Sequence, residues 1–207
     1  MKIYIVRHGE TPWNKKKLIQ GQQDIPLNDY GRELARKTGE GLKNVPFDRV
    51  FSSPLQRAYE TARILTEGRN LSIETDDRLK EIKFGAAEGR SIIEARAEKN
   101  DPISNFFDSP ADYQPVEGGE NFHQVRERGM EFLKERILPL ENQCENILMV
   151  AHACIIRSIV SGILELPLKE FWAGPPYKNC CVAILSCENG IIQVEEEAKL
   201  YYELSDK

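Results

Sequence analysis

Two short apolar runs that each lead into a histidine constrain the fold of this chain most. Residues 2–6 precede His8, and residues 147–150 precede His152. Both runs are rich in β-branched residues and lack polar alternation, which is typical of strands buried on both faces of a parallel sheet. Ligands of such sheets bind beyond the carboxyl ends of the strands, so we expect both imidazoles at one crevice. Two unrelated core histidines are the alternative, and the repeated pattern disfavours it.

Strand and helix signals alternate between these runs. Asn28 is a helix N-cap residue, and residues 49–52 are a further β-branched run. Ser53-Pro54 then pairs an N-cap residue with proline at a first helical position. The helix after Asn28 is expected to bury a stripe formed by Leu34, Thr38, Leu42 and Val45.

The C-terminal half continues this pattern. Asn121 and Gln124 have the spacing of a capping box, and Asn189-Gly190 between apolar runs is a strong hairpin signal. The order of elements predicts an α/β fold, a three-layer α/β/α sandwich with a mainly parallel central sheet and one antiparallel edge hairpin. We expect one domain over residues 1–207.

Residues 91–120 are expected to form a lid-like surface excursion. Residues 100–119 contain three prolines and have no clear period, and residues 101–120 contain five acids and no lysine or arginine. The aromatic residues Phe106, Phe107 and Tyr113 either contact an apolar leaving group or anchor the segment to the core.

Composition restricts the partners. The net charge of -5 and the pI near 5.4 argue against nucleic acid and against an anionic membrane surface. No run approaches the length of about 20 apolar residues that spans a bilayer. The five cysteines form no C-x-x-C pair, so we expect reduced thiols and a cytoplasmic protein. The oligomeric state stays open.

Positive charge is expected at the same crevice as the histidines. Arg7 precedes His8, and Arg57 lies near the start of the helix after Ser53-Pro54. Guanidinium groups and helix N-termini both bind phosphate oxygens, so this set predicts a dianion pocket. A solvated helix face is the alternative for Arg57. In the loop after His8, Gly9 and Gly21 would permit close backbone approach to a ligand, and Asn14 and Gln20 could donate to it.

Six motifs in register give the chain a family resemblance. They are Arg7-His8-Gly9-Glu10-Thr11, residues 21–27, Ser52-Ser53-Pro54 with Arg57, Glu81 with Gly85 and Glu88-Gly89, Gly118-Gly119-Glu120, and His152. This pattern resembles the histidine phosphatase superfamily, on its phosphoglycerate-mutase-like branch, and it runs through nearly the whole chain.

The resemblance implies a role for each matching residue. His8 would be the residue that is phosphorylated, Arg7, Arg57 and His152 would clamp the transferred group, and Glu81 would be the proton donor. From the residues alone, Glu81 is not distinguishable from Glu88. The remaining phosphate or substrate contacts would come from Asn14, Gln20, Gly21 and Ala153, the last of which is usually glycine in this family. No metal or other cofactor is expected.

The predicted activity is a metal-independent phosphomonoesterase that acts on small organic phosphates through a phosphohistidine on His8. The expected partner is a small phosphorylated metabolite. Phosphoglycerate-mutase-type transfer, a phosphoprotein phosphatase and a non-catalytic binding protein are the alternatives. His123 is expected at the surface without a chemical role, and Arg157 in a structural ion pair.

Overall fold

A six-stranded mixed sheet forms the centre of the computed structural model, which describes residues 1–98 and 101–203. The strands are β1 (Lys2–Arg7), β2 (Arg49–Ser52), β3 (Ile73–Thr75), β4 (Asn146–Ala151), β5 (Val182–Glu188) and β6 (Ile191–Lys199). Their order is β3-β2-β4-β1-β5-β6; the first four are parallel, whereas β5 and β6 are antiparallel to their neighbours. The predicted sheet, with its antiparallel edge hairpin, is confirmed.

Helices cover both faces of this sheet. They are α1 (Pro12–Lys15), α2 (Asp29–Gly41), α3 (Gln56–Leu65), α4 (Ile92–Ala97), α5 (Pro102–Asp108), α6 (Phe122–Phe132) and α7 (Ala153–Ile163). In β1, Ile3 and Ile5 pack in the core cluster that contains α6 and α7, whereas Val6 packs in the cluster that contains α3. This alternation, which follows from the two-residue period of a strand, builds the three layers. None of the described helices is long and apolar enough to cross a membrane.

Strands β1 and β4 are central neighbours and end at the same level. Arg7 is in register with Ala151, and the backbone N–H of His8 donates to the carbonyl of Ala151 at 2.9 Å. The next residue in each chain segment is a histidine, so the parallel register places His8 and His152 at one edge of the sheet.

Three local signals have the predicted structure. The Asn28 side chain accepts from the N–H of Gly31 at 2.7 Å, and Asn121 forms its capping box at the start of α6. Asn189 and Gly190 both have positive φ, which fits a tight hairpin turn between β5 and β6. The extent of α2 was predicted wrongly, because Val45 lies beyond its end.

The predicted start of the third helix is also wrong. α3 begins at Gln56 rather than at Pro54. Its N-cap residue is Leu55, whose side chain forms no capping hydrogen bond. Asp24 supplies the cap from a distant loop, since its carboxylate accepts from the backbone N–H of Gln56 at 2.7 Å. The Ser53 hydroxyl lies 2.8 Å from Nε2 of His152. Ser53 therefore belongs to the site.

Much of the expected surface excursion is helical and packed. Asp101 caps α5 by accepting from the N–H of Ile103 at 2.8 Å, and Pro102 occupies the first helical position. Phe106 and Tyr113 are 3% and 4% exposed, so they anchor this segment to the core. The lid-like role of this segment stays a prediction, and residues 99 and 100 lie outside the described residues.

Candidate active site

A cavity of about 410 Å³ lies at the carboxyl ends of β1 and β4. Eight of the nine site residues predicted from the sequence line it: Arg7, His8, Asn14, Gln20, Gly21, Arg57, Glu81 and Ala153. They come from the ends of β1 and β4, the loop after β1, the start of α3 and the segment before α4. The fold therefore brings together residues that are far apart in the chain.

His8 has the protonation state of a nucleophile. Its side chain is buried, and Nδ1 lies 2.6 Å from the carbonyl oxygen of Gly9. A carbonyl can only accept, so Nδ1 carries the ring proton and Nε2 keeps its lone pair. Burial, followed by the charges of Arg57 and Arg7, lowers the pKa of His8 well below 6.5. The imidazole is neutral at pH 7.

The two expected arginines flank this imidazole with unused donors. Arg57 is fully buried; it donates to the carbonyls of Gly21 and Gln23 at 2.7 Å each and to Nδ1 of His152 at 3.2 Å. Burial lowers its pKa to about 10, so it stays cationic at neutral pH. The buried Nε–H of Arg7 has no partner among the described residues. Unused guanidinium donors beside His8 suit a phosphoryl dianion.

His152 contacts Arg57 and is not among the described residues that line the cavity. Its ring centroid is 5.0 Å from that of His8. Because the Nε–H of Arg57 donates to Nδ1, the His152 proton resides on Nε2, which donates to Ser53 at 2.8 Å. Burial and then the charge of Arg57 lower the pKa of His152 well below 6.5. In this structure His152 accepts from Arg57, and the direct contact with the transferred group that the resemblance implied stays a prediction.

The structure separates Glu81 from Glu88, which the sequence could not do. The carboxylate of Glu81 lines the cavity and accepts from the backbone N–H groups of Cys154 and Ile155 at 3.1 and 3.2 Å. These N–H groups belong to the first turn of α7, where backbone N–H groups have no hydrogen-bond partner within the helix. Glu81 therefore lies on the α7 N-terminus, in the same cavity as His8.

Glu88 joins two loops instead. Its carboxylate accepts from the N–H groups of Gln22 and Phe84 at 3.0 and 3.1 Å, and Glu88 is not among the lining residues. A Cβ on Gly21, whose φ is +50°, would lie 2.1 Å from a Glu88 oxygen. Glycine at position 21 is thus needed for this contact between the loops, and close approach of a substrate there stays a prediction.

The remaining predicted polar residues form a small network. Thr11 donates its backbone N–H to the side-chain oxygen of Asn14 at 3.1 Å, and its hydroxyl lies 2.9 Å from the side-chain oxygen of Gln20. The side-chain nitrogens of Asn14 and Gln20 donate to no group within residues 1–98 and 101–203, so they are available to a ligand. A Cβ on Gly9 would meet the backbone oxygen of Gly31 at 2.5 Å, and close approach of a ligand to Gly9 stays a prediction. Its lack of a side chain serves chain packing.

Two residues that were not predicted from the sequence hold the backbone of Glu81 in place. Arg128 on α6 donates to the Glu81 carbonyl at 3.1 Å, and Gln22 donates to the same oxygen at 3.0 Å. Arg128 is itself paired with Glu120 at 2.9 Å. The Gly118-Gly119-Glu120 motif was the only sequence signal at this point, and no spacing rule links it to Arg128.

The outer part of the cavity is mainly apolar. Its walls include Leu18, Phe84, Ile92, Phe106, Phe107 and Trp172. Arg157 also lines it and forms the expected ion pair, with Glu197 at 2.9 Å. His123 is exposed on α6, as predicted. We call the part of the cavity lined by these six apolar side chains the outer chamber.

Comparison with known proteins decides the family. The family model described as the histidine phosphatase superfamily (branch 1) matches residues 3–198. The chain belongs to this superfamily. It is 30% identical over 188 residues to the adenosylcobalamin/alpha-ribazole phosphatase of Salmonella typhimurium strain LT2, covering 91% of this chain and 92% of that protein.

Two further relatives cover most of this histidine phosphatase superfamily member. A probable phosphoglycerate mutase, GpmB, of Salmonella choleraesuis is 33% identical over 186 residues, which are 88% of this chain and 83% of that protein. The solved structure of Bacillus stearothermophilus YhfR has a TM-score of 0.89 and 32% identity, over 96% of this chain and 97% of that one. The resemblance read from the motifs is confirmed, and with it an enzyme family that contains phosphatases and mutases.

Proposed function

We propose that this protein is a metal-independent phosphomonoesterase that forms a phosphohistidine on His8. The observation that carries the proposal is the hydrogen bond from Nδ1 of His8 to Gly9, which leaves a neutral Nε2 beside two guanidinium groups. Such a nucleophile needs no base, and the arginines supply the charge that a metal would otherwise supply.

The first chemical step transfers the phosphoryl group to the enzyme. Nε2 of His8 attacks phosphorus in line, the P–O ester bond breaks, and Glu81 in its carboxylic acid form gives its proton to the leaving alkoxide. Arg7 and Arg57 stabilise the charge on the equatorial oxygens. The Glu81 carboxylate is held by the α7 N–H groups in the cavity where the leaving oxygen would lie.

Hydrolysis of the phosphohistidine completes the cycle. A water molecule gives a proton to the Glu81 carboxylate as its oxygen attacks phosphorus, the P–N bond breaks, and inorganic phosphate leaves. His8 returns to the neutral tautomer bound to Gly9, and Glu81 again carries the proton that it needs for the next substrate. Atoms and charges balance without a metal or a redox partner.

The walls of the outer chamber favour small organic substrates with an apolar leaving group. Leu18, Phe106, Phe107 and Trp172 provide apolar surface there. A mutase must hold substrates that carry a second anion, and the outer chamber offers no unpaired cation among the described lining residues. The α-ribazole phosphatase relative supports a phosphatase, whereas the GpmB relative keeps a mutase as the second candidate.

A panel of phosphorylated metabolites and aryl phosphates, scored by released inorganic phosphate, tests this function. The expected result is steady release from monoesters with apolar leaving groups, together with an acid-labile, base-stable phosphoryl label on the protein after rapid quench. Transfer between substrate molecules without net phosphate release would establish the mutase instead. Binding of phosphate esters without turnover would establish the non-catalytic alternative.

A further inference from the structure

A third arginine contributes to the cavity and has no part in phosphoryl transfer. Among the described lining residues the cations are Arg7, Arg57 and Arg157. The first two flank His8. Arg157 lies one turn after the start of α7, beside the apolar walls of the outer chamber. An isolated buried cation at that place would attract a second anionic group on the substrate.

Glu197 on β6 cancels this charge. Its Oε2 lies 2.9 Å from Nη1 of Arg157, and the two side chains are 20% and 2% exposed. The Tyr177 hydroxyl donates to the same carboxylate oxygen at 3.0 Å. Two opposite charges this close and this buried interact strongly and present little net charge to the cavity.

The surrounding chain holds the Arg157 guanidinium in this pair. Nη2 donates to the carbonyl of Ala173, and the group lies over the Tyr177 ring, 5.3 Å from its centroid. Gly174 has φ of +94°, and a Cβ there would lie 2.8 Å from Nη2, so only glycine lets this loop pass so closely. The Nε–H is buried and has no partner within residues 1–98 and 101–203. The guanidinium thus retains donor capacity.

We propose that Glu197 is a specificity-determining residue, which pairs with Arg157 and restricts the enzyme to phosphate esters whose leaving group carries no second anion. The inference rests on the proposed function, because it concerns the leaving-group end of the same cavity. Glu197 acts through Arg157 and is not a catalytic residue. Without its negative charge, Arg157 becomes an uncompensated cation that accepts a carboxylate.

Binding of two matched phosphonates tests the proposal without requiring turnover. Both are 2-cyclohexylethylphosphonates, and one bears a carboxylate and the other a carboxamide at ring position 4. They have nearly the same shape and differ in one charge. Titration calorimetry with the wild type, Glu197→Gln and the control Glu195→Gln gives the ratio of the two Kd values for each protein. Glu195 lies on the same strand and pairs with Lys2 at the surface.

The wild type is expected to bind the carboxamide more tightly than the carboxylate. In Glu197→Gln the preference should shift toward the carboxylate by about tenfold, which corresponds to about 1.4 kcal/mol. Glu195→Gln should keep the wild-type ratio. Adding Arg157→Met to Glu197→Gln should remove the shift, because the cation is then absent. This last result separates a charge effect from a general loosening of the chamber.

Several outcomes would overturn the inference. One is an unchanged ratio of the two Kd values in Glu197→Gln, once thermal unfolding has shown that this variant is folded. Another is a wild type that already prefers the carboxylate. Failure of both phosphonates to bind the wild type would show that the outer chamber is not the leaving-group site. Phosphate release from cyclohexylmethyl phosphate is measured separately, so failure of the proposed function is distinguishable from failure of this inference.

Discussion

Nδ1 of His8 and the carbonyl oxygen of Gly9, residues adjacent in the chain, are joined by a hydrogen bond of 2.6 Å. This local contact decides which ring nitrogen carries the proton, so the lone pair on Nε2 is available before any substrate arrives. The proposed nucleophile is therefore prepared by a contact between neighbours in the chain.

Replacement of this nucleophile should abolish turnover. His8→Ala is expected to release no phosphate above background while it keeps a cooperative thermal transition, because His8 follows a strand end and is not part of the strand. His123→Ala is the matched control, since His123 is exposed on α6. Normal turnover in folded His8→Ala would contradict the mechanism.

Stability should fall as the pH is lowered through the histidine range. The pKa values of His8 and His152 are both well below 6.5 in the native state. As the pH falls below about 6.5, the unfolded chain binds protons that the native protein does not bind. The free energy of unfolding therefore decreases from pH 7 toward the lowered pKa values, by at most about 1.4 kcal/mol per pH unit for each histidine.

The variant His8→Asn isolates one of these contributions. Its free energy of unfolding should depend less steeply on pH between 7 and 5. The reduction in slope should correspond to at most one proton fewer taken up on unfolding. Urea titrations at several pH values measure both slopes. Identical slopes for the wild type and His8→Asn would show that His8 is not held neutral by the fold.

Activity should persist in excess EDTA. The cationic groups beside His8 are the guanidinium groups of Arg7 and Arg57, which can neutralise the phosphoryl oxygens. The measurement is kcat/KM before and after prolonged dialysis against chelator. A loss that is restored by Mg²⁺ or Zn²⁺ would count against the proposed mechanism, whereas Arg57→Lys should lower kcat/KM with or without chelator.

Loss of the Glu81 carboxyl group should affect leaving groups unequally. Glu81→Gln is expected to slow an alkyl phosphate far more than nitrophenyl phosphate, because phenolates leave without a proton and general acid assistance is typically worth about 10² to 10⁴ in rate. The comparison is kcat/KM on both substrates. Equal losses would remove Glu81 from the acid role.

Glu88→Gln is the matched comparison for this experiment. Glu88 joins the loops at Gln22 and Phe84, so its replacement should lower stability and reduce activity on both substrates alike. A selective loss on the alkyl phosphate in Glu88→Gln would transfer the acid role to that residue.

Local chemistry was enough to predict the fold class and one edge of the site. The apolar runs before His8 and His152 predicted buried parallel strands, and Asn189-Gly190 predicted the hairpin, because period and turn conformation depend on neighbours in sequence. The motifs around these strands carried the family resemblance. Eight of the nine residues then named for the site do line one cavity.

Tertiary structure alone decided how these side chains are divided among roles. Glu81, rather than Glu88, accepts a hydrogen bond from the first turn of α7. The donor, Cys154, is 73 residues further along the chain. His152 accepts from Arg57 across 95 residues, and Glu197 neutralises Arg157 from β6, across 40 residues. A side-chain contact between distant residues depends on strand register, helix placement and loop path together. No pattern within a single segment contains that information, so the protonation of His152, the acid in the cavity and the charge of the outer chamber follow only from the fold.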